Sequence, residues 1–439
     1  MADKGTVGDY VTLQRGITYK GNLVGKPGPA LLGLGSIRPG GGFREGDFKT
    51  YGGECPQKLM LFPGDLFVSL KGATKDGKMI GSVARVPPSV PSGRLTQDTV
   101  KLEFRENNPK AINFLYWILR TPQYRDYCDG RATGSAVVAL SRDDFLDYPV
   151  PPMTKTRLSI VELLKELDDK IELNRRMNAT LEAMARALFQ SWFVDLDLVR
   201  AKIDGRQPVG MDAATASLFP DSFQDSEAGH IPKGWTVRSL SSLTRYLSRG
   251  IGPSYLEQGG VCVLNQKCIR DHRVDFTKSR RHDSTVKPIN DRALQIHDIL
   301  VNSTGMGTLG RVAQLFYLPE PAIVDSHVTI VRAGLDTDPL FLGINLTGRE
   351  TEIEALGEGS TGQTELSRNR LGELKIITPS FRLQQSFGSA VRPLLARISK
   401  NETQSHTLAA LRDTLLPKLL SGELSVGDGI GLAESKSTL

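Results

Sequence analysis

Two glycine-rich segments have residue types and spacings close to those of nucleotide-binding loops. Gly72–Lys78 resembles a phosphate loop, but Met79 stands where magnesium binding requires a Ser or Thr hydroxyl, and Ile80-Gly81 does not open a helix. Gly305–Gly310 matches GxGxxG, yet the residues that follow it alternate like a strand where a dinucleotide site needs a helix. The sequence therefore does not favour a nucleotide cofactor at either segment.

Motifs for other catalytic chemistry are absent from the sequence. The histidines show no HExxH spacing, and there is neither a GxSxG elbow nor the Asn/Asp-Pro-Pro-Tyr/Phe tetrapeptide of amino-methyltransferases. The four cysteines form no CxxC pair, which favours free thiols in a reducing compartment over a zinc site. We therefore expect no catalytic residues, no metal and no cofactor in this chain, and recognition rather than catalysis as its role.

Length and composition indicate an ordinary globular protein of more than one domain. The chain has 439 residues, 39% of them hydrophobic and 24% charged, which predicts two or three domains. It has neither a membrane-length apolar segment nor a secretory signal, so we expect a soluble, cytoplasmic protein. A net charge of +6 is compatible with a polyanionic partner without requiring one.

Basic residues are concentrated in two stretches, one in each globular half. Residues 267–292 contain eight basic side chains against four acidic ones, and residues 15–78 contain ten against five. Lysine suits DNA phosphates, arginine suits guanine, and Asn or Gln suits adenine. On charge alone, a DNA-binding surface and an ordinary solvated surface are equally favoured. The candidate DNA-binding residues are Arg15, Arg38, Arg44, Lys71, Lys75, Lys78, Arg131, Arg249, Lys267, Arg270, Arg273, Arg280, Arg281, Asn302, Arg311 and Gln363.

The elements that carry these loops occur twice in the chain. Five short segments recur in the same order, which indicates duplication of a whole domain with a long helix after it. The matched segments are 15–17 with 249–251, 65–68 with 298–301, 80–84 with 309–313, 140–142 with 366–368, and 178–184 with 405–411.

The helix at the end of each copy has the heptad pattern of a coiled coil, with seam positions separated alternately by four and three residues. The first helix, from about residue 154 to residue 192, would be roughly 55–60 Å long, longer than a domain of this size is wide. We therefore predict that the two helices pair antiparallel. The predicted seam residues are Leu164, Leu167, Ile171, Asn174, Leu181, Leu188, Val391, Leu394, Ile398, Asn401, Leu408 and Leu415.

Three residues of these helices depart from a purely apolar seam or a regular helix. Asn174 and Asn401 occupy seam positions, where a buried asparagine fixes the register of the pair while weakening it. Pro393 has no counterpart in the first helix, so the second helix is expected to kink or restart near it.

The predicted fold class is α+β, a mixed α/β arrangement of two pseudo-two-fold-related globular domains separated by an antiparallel coiled coil of two long helices. The connector between the halves is expected to be exposed and partly ordered. The predicted boundaries are 1–152 for the first globular domain, 153–195 for the first long helix, 196–229 for the connector, 230–379 for the second globular domain, 380–425 for the second long helix, and 426–439 for a flexible tail.

Four segments together resemble the specificity subunits of type I restriction–modification systems. Residues 167–178, with the sequence LDDKIELNRRMN, and their continuation 181–193 resemble the central conserved region of that family. Residues 408–424 resemble its second conserved region, and residues 231–235, IPKGW, resemble the usual start of a target-recognition domain. The resemblance covers nearly the whole chain, and the central helix motif is quite specific.

The resemblance implies a non-catalytic DNA specificity subunit. Each globular half would be a target-recognition domain for one half of a bipartite, asymmetric DNA sequence, and the helices would set the spacer and dock two modification subunits. DNA methylation with S-adenosylmethionine, and restriction driven by ATP and Mg²⁺, would reside in the modification and the restriction or translocase subunits. Double-stranded DNA and those subunits are the expected partners, and no membrane partner is expected.

Two other hypotheses remain open from the sequence. One is a nucleotide-binding enzyme that uses the Gly72–Lys78 loop, which predicts stabilisation by ATP and magnesium. The other is a protein-only scaffold whose two domains bind other proteins, which predicts indifference to DNA.

Overall fold

The computed structural model describes residues 5–44, 46, 48–72, 78–134, 138–206, 210–359 and 364–421. Lys75, Gln363 and the predicted tail 426–439 lie outside the described residues. The chain divides into two compact units, the first formed by residues 1–173 and 404–439 and the second by residues 174–403. None of the helices in the described ranges has the length and apolar character that a membrane span requires.

The first unit is built on a four-stranded antiparallel sheet in the order β2-β8-β5-β6 and a smaller sheet, β3-β7-β4, in which β3 and β7 are parallel. A short pair, β1 with β9, joins the two ends of the globular part. The strands are β1 (Gly5–Thr6), β2 (Val11–Arg15), β3 (Ala30–Leu32), β4 (Met60–Leu61), β5 (Leu66–Ser69), β6 (Val83–Arg85), β7 (Gly93–Leu95), β8 (Thr99–Phe104) and β9 (Pro149–Val150).

Helices cover the larger sheet of the first unit. They are α1 (Val7–Tyr10), α2 (Pro109–Ile118), α3 (Pro122–Arg131), α4 (Arg142–Leu146) and the start of the long helix α5 (Lys155–Phe189). Asn108 caps α2 by accepting a hydrogen bond from the Lys110 amide at 3.1 Å, and Pro109 occupies the first turn, where its missing N–H costs nothing. The apolar face of α2, with Phe114 and Trp117, packs in one core with Leu164 of α5.

The second unit repeats this plan. Its four-stranded antiparallel sheet has the order β13-β22-β19-β20, and its smaller sheet, β14-β18-β15-β21, again contains one parallel pair, β15 with β21. The strands are β10 (Phe223–Ser226), β11 (Gly229–Pro232), β12 (Thr236–Ser239), β13 (Thr244–Arg249), β14 (Tyr255–Leu256), β15 (Val261–Leu264), β16 (Ile269–Arg270), β17 (Arg273–Val274), β18 (Arg280–His282), β19 (Ile299–Asn302), β20 (Val312–Gln314), β21 (Ala322–Val324), β22 (Val328–Ala333) and β23 (Lys375–Thr378).

The helices that follow α5 in the chain are short except for one. They are α6 (Asp197–Ile203), α7 (Ala213–Ser217), α8 (Pro339–Thr347), α9 (Glu350–Ala355), α10 (Arg368–Gly372), α11 (Phe381–Leu415) and α12 (Lys418–Ser421). α8 begins as α2 does, with Asp338 as the capping residue and Pro339 in the first turn. The mixed α/β class and the two globular domains with long helices, as predicted from the sequence, are confirmed.

The two long helices run antiparallel where they meet in the second unit. Asn174 of α5 contacts Asn401 of α11, whereas fifteen residues further along α5 the ring of Phe189 lies 5.7 Å from that of Phe387. α11 does not restart at Pro393, which lies inside the helix and is exposed. A proline on the solvent side leaves the carbonyl one turn earlier open to water, so the helix tolerates it.

The repeated motifs have direct structural roles. Ser141 and Ser367, from the Leu-Ser-Arg repeat, cap α4 and α10 by accepting hydrogen bonds from backbone amides at 2.9 Å and 3.2 Å. The Arg-Gly-Ile repeat supplies Gly16 and Gly250, where a Cβ would lie within 2.0 Å of a backbone carbonyl oxygen. These constraints explain why the same short motifs occur in both halves.

The segment expected to be an exposed connector, residues 196–229, is folded onto the second unit. It contains α6, α7 and the first strand of the β10–β11 hairpin. Val199 is fully buried and Phe219 is 2% exposed, packed against the Trp192 ring at 5.3 Å. The apolar residues between its carboxylates therefore find partners in the core that the local sequence does not reveal.

Candidate nucleic-acid interface

Both units present an exposed arginine at the same place in the fold. Arg38 and Arg270 each follow a buried isoleucine and a single 3₁₀ turn, and each stands at the start of a tight reversal of the chain. In the second unit the reversal is a two-residue hairpin turn whose central residues, Asp271 and His272, have φ angles of 52° and 59°. The duplication thus places one arginine of each unit on an equivalent loop.

Other predicted residues of the first unit also lie on the surface. Arg15, Arg44 and Lys78 are exposed, and Lys71 is half-buried with its ammonium group 3.6 Å from Asp98. Arg131, at the end of α3, stacks on the Tyr127 ring at 3.9 Å and lies 3.6 Å from Asp144.

Arg280 is an exposed arginine of the second unit whose guanidinium group stacks on an aromatic ring. Its guanidinium group lies 3.4 Å from the centroid of the Tyr255 ring on the adjacent strand β14, and both side chains are exposed. Stacking on an aromatic face orients the planar guanidinium group while leaving its N–H donors available. Lys267, in the 3₁₀ turn before Arg270, adds a further exposed charge.

Five predicted residues of the second unit are instead engaged within the protein. Arg249 pairs with Glu365, and Arg311 donates to the Gly307 carbonyl at 2.8 Å. Arg281 makes a bidentate pair with Glu320 at 2.7 and 2.8 Å, and Arg273 bridges Glu182 and Glu402 of the long helices. Asn302 is fully buried in β19 and donates to the Gln266 carbonyl at 3.1 Å, so it does not lie on the surface. Ion pairs and burial make these side chains poorer DNA contacts than the exposed ones.

The hairpin turn of the second unit carries a histidine with a perturbed charge state. His272 Nδ1 lies 3.3 Å from the Glu350 carboxylate, and this hydrogen bond raises the pKa of His272 above its ordinary value. The protonated form therefore persists to higher pH than in a free histidine and adds positive charge beside Arg270.

The structure also places the two glycine-rich segments that resemble nucleotide loops. The strand β20, not a helix, follows Gly305–Gly310, so the helix N-terminus that binds a pyrophosphate is missing there. Of the Gly72–Lys78 loop, residues 73–77 lie outside the described residues. Within the described ranges, no group of three or more His, Cys, Asp or Glu side chains is arranged to hold a metal ion.

All twelve predicted seam residues of the long helices are buried or half-buried. At the centre, Asn401 donates its side-chain amide to the Asn178 side-chain oxygen at 2.8 Å, and Asn174 donates to the Asn401 carbonyl at 3.4 Å. These three asparagines are each at most 3% exposed.

Sequence reasoning missed Tyr255 as a partner of Arg280. The signal was an aromatic residue in the loop next to a basic stretch, but its pairing depends on the register of β14 with β18, which local sequence does not give. It also missed the buried Arg94 and Arg120 and the half-buried Arg85 of the first unit, because arginine is rarely buried.

Comparison with known proteins identifies the relatives of this chain. The specificity subunit of the type I restriction enzyme HindI from Haemophilus influenzae is 26% identical over 314 residues, which cover 62% of this chain and 68% of that protein. The specificity subunit of the MjaIX enzyme from Methanocaldococcus jannaschii is 25% identical over 353 residues, covering 75% of this chain and 73% of that protein. Both relatives are type I specificity subunits. The resemblance predicted from the sequence is therefore confirmed.

A solved structure shows the same fold. The crystal structure of a type I restriction–modification S subunit from M. genitalium superposes with a TM-score of 0.52 and 18% identity, covering 95% of both chains. No model of a protein family matches the chain.

Proposed function

We propose that this chain is a non-catalytic DNA specificity subunit of a type I restriction–modification complex. Each globular domain recognises one half of a bipartite, asymmetric DNA target. The observation that carries the proposal is the duplicated domain, which presents Arg38 and Arg270 on equivalent exposed loops. Two copies of one fold with different loop residues suit two different half-sites, because base contacts come from loop side chains while the fold positions them.

The long helices are proposed to set the spacer between the half-sites and to dock two modification subunits. Each helix has 35 residues, which corresponds to about 52 Å at the rise of an α-helix. The seam faces of the helices are buried, so docking would use their exposed sides, where Leu173, Met184 and Leu411 are 43–48% exposed. Restriction and translocase subunits would join the same assembly.

Catalytic chemistry is assigned to the partners in this proposal. S-adenosylmethionine would be bound by the modification subunits, and ATP with Mg²⁺ by the restriction subunits. The chain itself would need no cofactor, because its task is to hold DNA and proteins in register.

A base-resolution methylation map tests the proposal. Cells expressing this chain with its neighbouring modification subunit should acquire a bipartite adenine-methylation motif that is absent when only this chain is omitted. An unchanged map, together with failure of the purified subunits to form a complex, would reject the proposed function.

The nucleotide-binding alternative has a separate test. Under that hypothesis, ATP with magnesium at 100 times its Kd would stabilise the chain by about 2.7 kcal/mol. If thermal unfolding does not change under those conditions, an ATP site at Gly72–Lys78 is excluded.

A further inference from the structure

A cluster of arginines surrounds Tyr116 in the first unit, on the face of α2 that is turned towards α5. The guanidinium carbon of Arg85 lies 4.3 Å from the centre of the Tyr116 ring, and that of Arg120 lies 5.0 Å from it. Arg120 also donates to the Tyr116 hydroxyl at 3.0 Å and lies 4.5 Å from the Trp117 ring. We call Arg38, Arg85, Tyr116, Trp117 and Arg120 the Tyr116 cluster.

A glycine turn brings Arg38 into the cluster. A Cβ on Gly42 would lie 3.7 Å from Arg120 Nη2 and 4.0 Å from Arg38 Cδ, and one on Gly41 would lie 2.9 Å from Arg120 Cγ. Both glycines have positive φ angles, 104° at Gly41 and 97° at Gly42, which disfavour side chains there, and at Gly41 a Cβ would also crowd Arg120. The turn therefore leaves room for two arginine side chains next to each other, with Arg38 on the exposed side.

The carboxylates near the cluster do not neutralise it. Asp168 of α5 is shared by Arg120 at 3.0 Å and Arg412 at 2.6 Å, and Asp169 is paired with Lys165 at 2.5 Å. Among the described residues, no carboxylate lies within 4.0 Å of the guanidinium group of Arg38 or Arg85. Burial lowers the pKa of Arg85 more than any other influence, and the negative charge of Asp169 only partly opposes this shift.

Four buried N–H groups in the cluster have no hydrogen-bond acceptor in the described part of the chain. They are Arg85 Nε and Nη2, Arg120 Nε and Trp117 Nε1. Arg120 is only 9% exposed and Trp117 only 1%. All four atoms are donors, and unpaired buried donors beside excess positive charge are satisfied best by an anion with several acceptor oxygens.

The second unit provides an internal comparison, because the side chains at the corresponding positions there have hydrogen-bond partners within the protein. Glu350 stands as far after Pro339 as Arg120 stands after Pro109, and it accepts from the Val312 amide at 2.6 Å as well as from His272. Gln314 ends β20 as Arg85 ends β6, and its amide donates to two backbone carbonyls at 2.7 and 3.2 Å. The unsatisfied donors are thus a feature of the first unit and not of the fold.

We propose that the Tyr116 cluster is an oxyanion site that binds a phosphate group through the guanidinium groups of Arg38, Arg85 and Arg120. Phosphate has the charge and the number of acceptor oxygens that the donors lack, and arginine forks bind it bidentately. The phosphate comes either from the solution as a free ion or from a DNA backbone. The site does not depend on the proposed sequence recognition, because a free phosphate ion suffices to occupy it.

Isothermal titration of the full chain with inorganic phosphate, against sodium chloride at the same ionic strength, tests the site. The wild-type chain should bind phosphate, and Arg85→Gln should weaken that binding by at least about tenfold, because a charge-assisted bidentate contact is lost. Arg38→Gln, at an exposed position that no core packing depends on, should weaken it as well. Arg368→Gln, a change at an exposed arginine of the second unit outside the candidate DNA-binding residues, should leave it unchanged.

A measurement of duplex DNA binding distinguishes the two sources of the phosphate. If the source is a DNA backbone, Arg85→Gln should also reduce the salt dependence of duplex binding by about one phosphate contact. If the source is a free ion, duplex binding by Arg85→Gln should equal that of the wild-type chain. Absence of phosphate binding by the wild-type chain would overturn the proposal. Phosphate binding by Arg85→Gln and by Arg38→Gln that is as tight as that of the wild-type chain would overturn it too. Loss of modification-subunit binding in Arg85→Gln without any phosphate effect would likewise overturn it and assign the cluster to a protein contact.

Discussion

At the scale of single residues, both units have an ion pair at the same place in the large sheet. The pair is more deeply buried in the second unit. The aspartate before the central strand of each large sheet pairs with a basic residue of the neighbouring strand, Asp65 with Lys101 at 2.7 Å and Asp298 with Arg332 at 2.6 Å. The Asp65 side chain is 30% exposed, whereas that of Asp298 is 1% exposed. Arg332 donates hydrogen bonds to the Asp298 carboxylate, and these raise the pKa of Arg332.

We expect Asp298→Asn to lower the free energy of unfolding by about 3–5 kcal/mol, because removing one partner leaves a buried arginine without its counter-charge. Asp65→Asn is the matched control and should cost about 1 kcal/mol or less, because water replaces the lost partner. Guanidinium unfolding of both variants measures the difference. Equal losses in the two variants would show that burial does not govern these pairs.

At the scale of the helices, three buried asparagines form hydrogen bonds between α5 and α11. The heptad pattern places Asn174 and Asn401 on the seam, where a buried asparagine is expected to weaken the pair. The structure changes that expectation, because Asn401 donates to the side chain of Asn178, which is 3% exposed. Removing Asn401 therefore leaves a buried acceptor without this donor, and the cost of that group competes with the gain from leucine.

Asn401→Leu should lower the free energy of unfolding by about 1–3 kcal/mol, the typical cost of an unsatisfied buried polar group. Lys400→Leu, at the adjacent exposed position, should change it by about 0.5 kcal/mol or less. Urea unfolding provides the comparison. A more stable Asn401→Leu chain would mean that the asparagine network contributes less than the apolar seam around it.

At the scale of the whole molecule, each unit has its own core and an exposed arginine stacked on a tyrosine, although the two stacks lie at different places in the repeated fold. Arg131 lies on Tyr127 in the first unit, and Arg280 lies on Tyr255 in the second. Changes in residues that share no partners act independently. Mutations in the two stacks can therefore test the two proposed half-sites separately.

Arg280→Ala is expected to relax base choice in one half of the methylated target only, with a loss of about 1–3 kcal/mol if the guanidinium group binds a base edge. Tyr255→Leu should affect the same half, since it removes the platform that orients Arg280. The methylation motifs of both variants can be compared with those of Arg131→Ala, which should leave that half intact. Relaxation of both halves by Arg280→Ala alone would contradict two independent recognition domains.

The sequence alone determined the features that depend on neighbours along the chain. The duplication followed from short motifs whose causes are local: Ser141 and Ser367 cap helices, and Gly16 and Gly250 stand where a Cβ does not fit. Helix periodicity likewise predicted which residues of α5 and α11 face inward, because side chains three and four apart share a helix face. Those rules need no knowledge of distant residues.

Only the tertiary structure determines which basic side chains are exposed for contact with a partner and which are paired within the protein. Arg273 and Arg280 are alike in the sequence, yet one bridges two glutamates of the long helices and the other is exposed on a tyrosine. The Tyr116 cluster gathers Arg38, Arg85 and Arg120 from a loop, a strand end and a helix end. Coulombic energy and desolvation depend on distance and burial, and only the folded chain sets those for residues far apart in sequence.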